Sequence, residues 1–158
     1  MKTTLLSLFA TLFYITLFAG DTTTVRIHDH TDMTWYGNYD AWGELPDTTK
    51  NYRKVYLHYT MGCATGGCSE WDYTTQIFYR HRTGELDTSF NEIVENYELA
   101  RVITPYGGGL ANNWEFTTTF DITDFAQILR DSVEIRCHYS GWSSGFSATM
   151  TSNFDRIS

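Results

Sequence analysis

Basic residues are scarce in this chain of 158 residues. Eleven lysines and arginines stand against 19 aspartates and glutamates, and the formal net charge is −8. Nucleic acids and anionic membranes are bound by clusters of basic side chains that release counterions, and no such cluster is present. We therefore expect neither nucleic acid nor a membrane as a partner. The sequence also has no internal repeat, low-complexity run or interdomain linker, which is typical of a single domain.

Long apolar runs are also missing. The stretch from Leu5 to Phe18 is shorter than the roughly 20 residues that a membrane-spanning helix needs. Lys2 precedes this stretch, small residues follow it, and no cysteine comes directly after it to carry a lipid. This order is typical of a secretory signal peptide. The sequence predicts a signal peptide over 1–20 and a secreted or periplasmic domain over 21–158.

Cysteines are few, and their number is odd. Cys63 and Cys68 lie five residues apart in a glycine-rich loop, and in an exported protein this spacing predicts a disulfide. Because the loop is short, the disulfide would stabilise the fold by only about 2 kcal/mol, and its main effect would be to shape the loop. Cys137 alternates with Val133 and Ile135 in one run, which predicts a buried free thiol.

Alternation of apolar and polar residues is the recurring pattern in the rest of the chain. It predicts strands whose inward faces carry these four sets: Val55, Leu57 and Tyr59; Trp71, Tyr73, Ile77 and Tyr79; Trp114, Phe116, Phe120 and Ile122; Phe146, Ala148, Met150 and Phe154. The segment 95–104 is predicted to be extended, and 29–51 to be a long ordered loop with short extended pieces.

One short helical turn interrupts this pattern. Phe125, Ile128 and Leu129 have helical spacing, and Thr123 or Asp124 is the predicted cap. The predicted fold is all-β, an antiparallel jelly-roll β-sandwich of about eight strands with one short helical turn.

Two carboxylates follow the predicted disulfide directly. On an extended chain Glu70 and Asp72 would share a face, with their Cα atoms about 6.6 Å apart. Like charges at this distance disfavour joint ionisation, which is one way to keep a proton available near neutral pH. The alternative is that both are solvated acids beside a turn.

Other catalytic patterns are weak. His28 and His30 have the spacing of two ligands on one strand face, but His58, His81 and His138 form no second motif, and surface histidines are the favoured interpretation. We predict no metal and no cofactor. No nucleophile elbow surrounds the serines before Gly145, and Gly107–Gly109 is predicted to be a hairpin turn, not a phosphate loop.

Four blocks of sequence resemble the first jelly-roll domain of the peptide-N-glycosidase F family, a group of secreted bacterial amidases. They are Cys63…Cys68-Ser-Glu-Trp-Asp72, Arg101-Val-Ile-Thr-Pro-Tyr106, Phe120-Asp-Ile-Thr-Asp-Phe125 and the strand from Val133 to Trp142. The resemblance covers about residues 55–150. It implies hydrolysis of the amide bond between asparagine and the first N-acetylglucosamine of an N-glycan, with an N-glycosylated protein or its glycan as partner.

The resemblance also implies roles for single residues. Asp72 falls at the position of the family's principal catalytic carboxylate. That carboxylate acts as a base, which positions and activates the attacking water, and Glu70 lies beside it. Trp71, Tyr106, Ser140 and Trp142 fall at substrate-binding positions.

Departures from the family pattern predict weak or absent activity for this chain alone. Ser140 stands where the family has a further acid, and the aromatic after Tyr106 is replaced by glycine. Another glutamate of the family comes from a second jelly-roll domain. We expect such a domain as a partner, because the sequence stops at Ser158.

The alternative is a non-enzymatic carbohydrate- or glycoprotein-binding module. Its sugar-stacking residues would be Trp35, Tyr36, Tyr39 and Trp42, although packing of most of these over one end of the sandwich is the favoured interpretation.

Overall fold

The structure is a computed structural model that describes residues 22–46, 51–142 and 148–157. The predicted signal peptide and Phe146 lie outside the described residues. Within these ranges, no helix has the length and apolar character needed to cross a membrane.

Eight strands and one short 3-10 turn make up the described fold. The strands are β1 (Thr22–Met33), β2 (Gly37–Glu44), β3 (Lys54–Cys63), β4 (Thr74–Leu86), β5 (Glu92–Ile103), β6 (Glu115–Asp121), β7 (Ser132–Tyr139) and β8 (Ala148–Ile157), and the turn is Thr123–Phe125. All strand pairs are antiparallel and form two four-stranded sheets, ordered β1-β8-β3-β6 and β2-β7-β4-β5. This interleaved order is that of a jelly roll, which is the fold predicted from the sequence.

The core between the sheets follows from the alternation. Val55 and Leu57 on β3 are fully buried against Val133 and Ile135 on β7 in one cluster. Side chains two residues apart point to the same face of a strand, so each sheet presents one apolar face to the other. Cys137 is a buried free thiol, as predicted, and burial raises its pKa well above the usual value, which keeps it unreactive.

Two strand predictions are wrong in detail. Trp71 is exposed because β4 begins only at Thr74. Phe116 is also exposed, although the buried Ile122 lies on the same alternating face. The reason is that β6 is an edge strand, and among the described strands it is bonded only to β3.

The segment 29–51 is the largest correction. It contains the end of β1 and all of β2, which pairs with β7 from Gly37 opposite Tyr139 to Glu44 opposite Ser132. Three of the four inward positions carry the small residues Gly37, Ala41 and Gly43, so the alternation is weak in the sequence. A Cβ on Gly43 would lie 2.5 Å from Ile27 Cγ1, which shows how closely β1 and β2 pack.

The helical turn lies where it was predicted, but its cap is a different residue. Neither Thr123 nor Asp124 caps it; Ile122 is the N-cap residue and makes no side-chain cap bond. Instead Asp121 Oδ1 accepts a hydrogen bond from the Thr123 backbone at 3.1 Å, and Asp121 Oδ2 accepts one from Lys54 Nζ at 2.6 Å. The bonds from Lys54 and Thr123 lower the Asp121 pKa to about 2.

Two phenylalanines provide a matched test of this core. Phe154 is 0% exposed and Phe116 is 61% exposed. We expect Phe154→Ala to lower the free energy of unfolding by about 3–5 kcal/mol, because it leaves a cavity. Phe116→Ala should lower it by about 1 kcal/mol or less. Urea denaturation followed by tryptophan fluorescence measures both, and equal losses would contradict the described packing.

Candidate functional site

The candidate residues meet at one end of the β2-β7-β4-β5 sheet. Strand register brings them there, because Thr75 pairs with Tyr139 and Thr74 pairs with Ile103. The residues before β4, after β5 and after β7 therefore emerge side by side. These segments carry all six predicted site residues: Glu70, Trp71, Asp72, Tyr106, Ser140 and Trp142. Their catalytic and binding roles stay predictions.

The predicted disulfide is formed. Cys63 and Cys68 are bonded, with their Cα atoms 4.3 Å apart. Inside the loop the Gly67 N–H donates to the Ala64 carbonyl at 2.9 Å, and Gly67 has a φ of 110°, a conformation that favours glycine. The loop carries the chain from β3 in one sheet towards β4 in the other.

Side-chain hydroxyls fix the backbone around Asp72. Ser69 Oγ accepts a hydrogen bond from the Trp71 N–H at 3.1 Å, which bends the chain just before Asp72. Beyond it, Thr104 Oγ1 accepts from the Tyr73 N–H at 2.7 Å, while the Thr104 N–H donates to the Tyr73 carbonyl at 2.8 Å. The Asp72 side chain remains exposed. Its position is thus set by bonds to its neighbours' backbone.

Tyr106 contacts both members of the Trp71–Asp72 pair. Its hydroxyl faces the Asp72 carboxylate, and this negative neighbour raises the pKa of Tyr106. The Trp71 and Tyr106 rings meet edge to face, with centroids 6.5 Å apart. An acid, a phenol and an indole therefore form one exposed group.

Gly107 holds Tyr106 in this place. Its N–H donates to the Ser69 carbonyl at 2.6 Å, and a Cβ on Gly107 would lie 2.4 Å from that oxygen. The predicted hairpin turn at Gly107–Gly109 is wrong, because this segment crosses from β5 in one sheet to β6 in the other. The glycine is needed for its close approach to the disulfide loop.

The expected pairing of Glu70 with Asp72 on an extended chain is also wrong. Glu70 and Trp71 lie in the bend before β4 and not on a strand. Glu70 packs against the crossing loop, where its Cγ lies 3.5 Å from a Cβ built on Gly108, whereas Asp72 faces Tyr106. The interpretation of two carboxylates on one strand face therefore has no geometric basis.

Ser140 acts as a structural link. Its Oγ accepts a hydrogen bond from the Thr74 N–H at 2.9 Å, and its own N–H donates to the Thr74 carbonyl at 3.0 Å. These bonds extend the pairing of β7 with β4 beyond Tyr139.

Three exposed rings lie beyond Ser140, and we call them the aromatic cluster: Trp35, Tyr36 and Trp142. Trp142 stacks on Tyr36, with centroids 5.1 Å apart and 23° between the planes, and meets Trp35 at 6.4 Å. The favoured interpretation, that the aromatics of 29–51 pack over the sandwich, is wrong for Trp35, Tyr36 and Trp42. Only Tyr39 packs against the core, and its hydroxyl donates to the Trp35 carbonyl at 2.9 Å.

The two histidines with ligand spacing do not share a face. His28 is 2% exposed, lies 3.3 Å from the Tyr39 carbonyl through Nε2, and has a pKa lowered by burial. His30 is exposed, with a φ of 45°, because β1 is irregular between His28 and Thr31. The surface interpretation is therefore wrong for His28. No group of three His, Cys, Asp or Glu side chains arranged to hold a metal is found among the residues described.

Comparisons with known proteins give similarity at the level of structure. No family model and no curated protein matches the sequence. Solved structures match with TM-scores of 0.63: recombinant peptide N-glycanase F (21% identity, 86% of this chain and 41% of that one) and PNGase F from Flavobacterium meningosepticum, a glycosylasparaginase (19%, 87% and 42%). PNGF-II gives a TM-score of 0.63 at 13% identity, covering 85% of this chain and 34% of the other. The chain has a peptide-N-glycosidase F-like fold. It spans less than half the length of these PNGase F chains, and the low identities show the fold alone.

Two contacts of the site were missed in the sequence. The approach of Tyr106 to Asp72 depends on the Gly107 crossing, and the stack of Tyr36 on Trp142 depends on β2. The sequence held a signal for the second contact, the aromatic pair Trp35-Tyr36 directly before Gly37. Because Gly37 lies opposite Tyr139, this pair comes close to Trp142 once β2 and β7 are paired.

Two glycines of the crossing loop test the position of Tyr106. We expect Gly107→Ala to lower the free energy of unfolding by about 1–3 kcal/mol, because the new Cβ overlaps the Ser69 carbonyl. Gly109→Ala is the matched control, since a Cβ there meets no atom within 4 Å. Urea denaturation measures stability, and near-ultraviolet circular dichroism reports the Trp71–Tyr106 contact. A Gly107→Ala protein as stable as the control would refute the close approach.

Proposed function

We propose that this end of the sheet binds an N-linked glycan at its asparagine, and that Asp72 is the base in hydrolysis of the glycan–asparagine amide bond. The observation that carries the proposal is the Tyr106–Asp72–Trp71 group on a peptide-N-glycosidase F-like fold. We also propose that residues 21–158 form an exported domain. The Cys63–Cys68 disulfide supports an oxidising compartment.

The chemistry asked of Asp72 is general-base catalysis. The exposed Asp72 carboxylate lies beside the Tyr106 hydroxyl and has lone pairs for a water molecule. Removal of a proton from that water would produce the nucleophile that attacks the amide carbonyl. Cleavage of the C–N bond then leaves aspartate in the peptide and releases the glycan as an amine, whose nitrogen takes up a proton. A positioned base of this kind contributes about 10²–10⁴-fold to the rate.

The rings beside Asp72 suit a sugar ligand. Trp71 and Tyr106 lie beside the carboxylate, and the aromatic cluster lies in the segments before β2 and after β7. Apolar faces of sugar rings pack on such exposed aromatic surfaces, and the polar edges of tyrosine and tryptophan donate hydrogen bonds.

We propose that these 158 residues alone turn over slowly. Ser140 stands at a position where the family carries an acid, and its hydroxyl already accepts the Thr74 N–H. Asp72, Trp71 and Tyr106 are all open to water, where electrostatic stabilisation of a transition state is weak.

A second candidate is a carbohydrate-binding module without catalysis. The aromatic cluster favours it, because three large exposed rings contact one another and form a surface for stacking. Contiguous exposed apolar patches on a protein surface often mark binding sites.

Asp72→Asn tests the catalytic proposal. We expect slow release of intact glycan from a denatured N-glycoprotein by the wild-type protein, and at least about 100-fold less by Asp72→Asn, because the amide is no base. Mass spectrometry in water enriched in heavy oxygen detects the label in the new aspartate. Asp124→Asn, an exposed acid at the other end of the sandwich, is the matched control. Wild-type release that Asp72→Asn leaves unchanged would contradict the role of Asp72, and efficient wild-type release would contradict slow turnover.

Binding separates the two candidates. We expect Trp142→Ala to weaken binding of an N-glycopeptide about tenfold, because it removes the ring that stacks on Tyr36. Trp42→Ala removes an exposed tryptophan outside the cluster and serves as the control. Titration calorimetry measures both variants. Binding that needs Trp142, without any release of glycan that depends on Asp72, would favour the module over the amidase.

A further inference from the structure

A polar cavity lies at the opposite end of the sandwich from Asp72. It has a volume of about 400 Å³, and its lining includes Asn51, Tyr52, Gln127, Arg130 and Arg156. The cavity sits where β3 begins, where β8 ends and where the 3-10 turn passes between the sheets. None of its residues belongs to the candidate site described above.

Arg156 is a buried cation in the wall of this cavity. Its side chain is 1% exposed, and its guanidinium lies 3.9 Å from the centre of the Tyr52 ring. One nitrogen, Nη1, donates to the Pro46 carbonyl at 3.0 Å, and Nε is buried with no hydrogen-bond partner. No described carboxylate forms an ion pair with it. Buried charges are normally paired, so Arg156 is suited to bind an anion.

A second buried polar atom at the cavity also lacks a hydrogen-bond partner. The Tyr52 hydroxyl is buried and has no hydrogen-bond partner, although Tyr52 lines the cavity. Buried hydroxyl groups are almost always bonded to protein, water or ligand. Tyr52 Oη and Arg156 Nε are therefore two donors available at one place.

Charges around the cavity favour an anion. Burial lowers the pKa of Arg156, Arg130 lowers it further as a neighbouring positive charge, and Asp131 opposes this effect. Asp124 also lines the cavity, so one carboxylate lies on the wall together with two guanidinium groups. An anion between Arg130 and Arg156 would offset their repulsion. Guanidinium groups bind carboxylates and phosphates through paired hydrogen bonds.

The size of the cavity indicates more than a bare ion. Its volume of about 400 Å³ lies within the roughly 300–1,000 Å³ that is typical of small-molecule sites. The amides of Asn51 and Gln127 on its wall can bond the hydroxyl groups of a polar ligand.

We propose that this cavity binds the oxyanion of a small polar molecule of about monosaccharide size, with Arg156 and Arg130 on the anionic oxygens and the Tyr52 hydroxyl as a further donor. The ligand class is an acidic sugar or a comparable hydroxylated acid. The site is independent of the amidase proposal, because it lies at the other end of the sheets.

Titration calorimetry at constant ionic strength tests this site with the full chain. The probes are glucose 6-phosphate, glucuronate, inorganic phosphate and uncharged glucose. We expect saturable binding of at least one of the two acidic sugars, at least tenfold weaker binding of inorganic phosphate and no binding of glucose. The two acidic sugars distinguish a phosphate from a carboxylate as the preferred group. Failure of both to bind, or equal binding of glucose, would overturn the proposal.

Variants locate the binding. Arg130→Gln should weaken it at least tenfold, and Arg101→Gln, an exposed arginine of β5, should leave it unchanged. Tyr52→Phe should weaken it about threefold, because it keeps the ring under Arg156 and removes only the hydroxyl. The circular dichroism spectrum and Tm check that each variant folds. Binding that Arg130→Gln and Tyr52→Phe both leave unchanged would place the ligand elsewhere and contradict the assignment.

Discussion

The crossing from β3 to β4, closed by Cys63 and Cys68, is the constraint on which the site depends. A jelly roll must move the chain between its two sheets at the ends of strands, where backbone groups lose their ladder partners. Here a disulfide closes the crossing, and the hydroxyls of Ser69, Thr104 and Ser140 accept hydrogen bonds from backbone N–H groups that have no ladder partner. The position of Asp72 follows from these hydrogen bonds to the backbone of its neighbours.

A ladder of ion pairs on the outer face of the second sheet holds β2 in register. Arg136 binds Asp40 through two bonds of 2.7 Å, and Arg80 links Asp40 at 3.2 Å to Glu134 at 2.6 Å. The bond from Arg136 lowers the pKa of Asp40. Two-bond arginine–carboxylate contacts have a fixed geometry, so they specify which residues lie opposite each other. Because β2 follows Tyr36 directly, this ladder also places Trp35 and Tyr36 beside Trp142.

The parts of this architecture that could be predicted from sequence are those that depend on short-range pattern. Val55, Leu57 and Ile135 alternate with polar residues and are buried as expected, and the cysteine spacing predicted the disulfide. β2 escaped prediction because its inward positions include Gly43, whose lack of a side chain hides the alternation. His28 was misassigned because an irregularity in β1 changes which side chains face inward. These errors share a cause, since contacts between distant segments decide them.

The same distinction applies to the candidate site. The resemblance supplied Asp72 and Trp71, but it could not supply the approach of Tyr106 to Asp72, which depends on Gly107 approaching Ser69. In this arrangement the carboxylate stays open to solvent. Amide hydrolysis requires charge stabilisation in a site from which water is largely excluded. A surface must therefore cover Asp72 during any efficient reaction, whether the glycan and its protein or a second domain supplies it. The exposed rings of Trp71, Tyr106 and Trp142 are the contacts that such a surface would use.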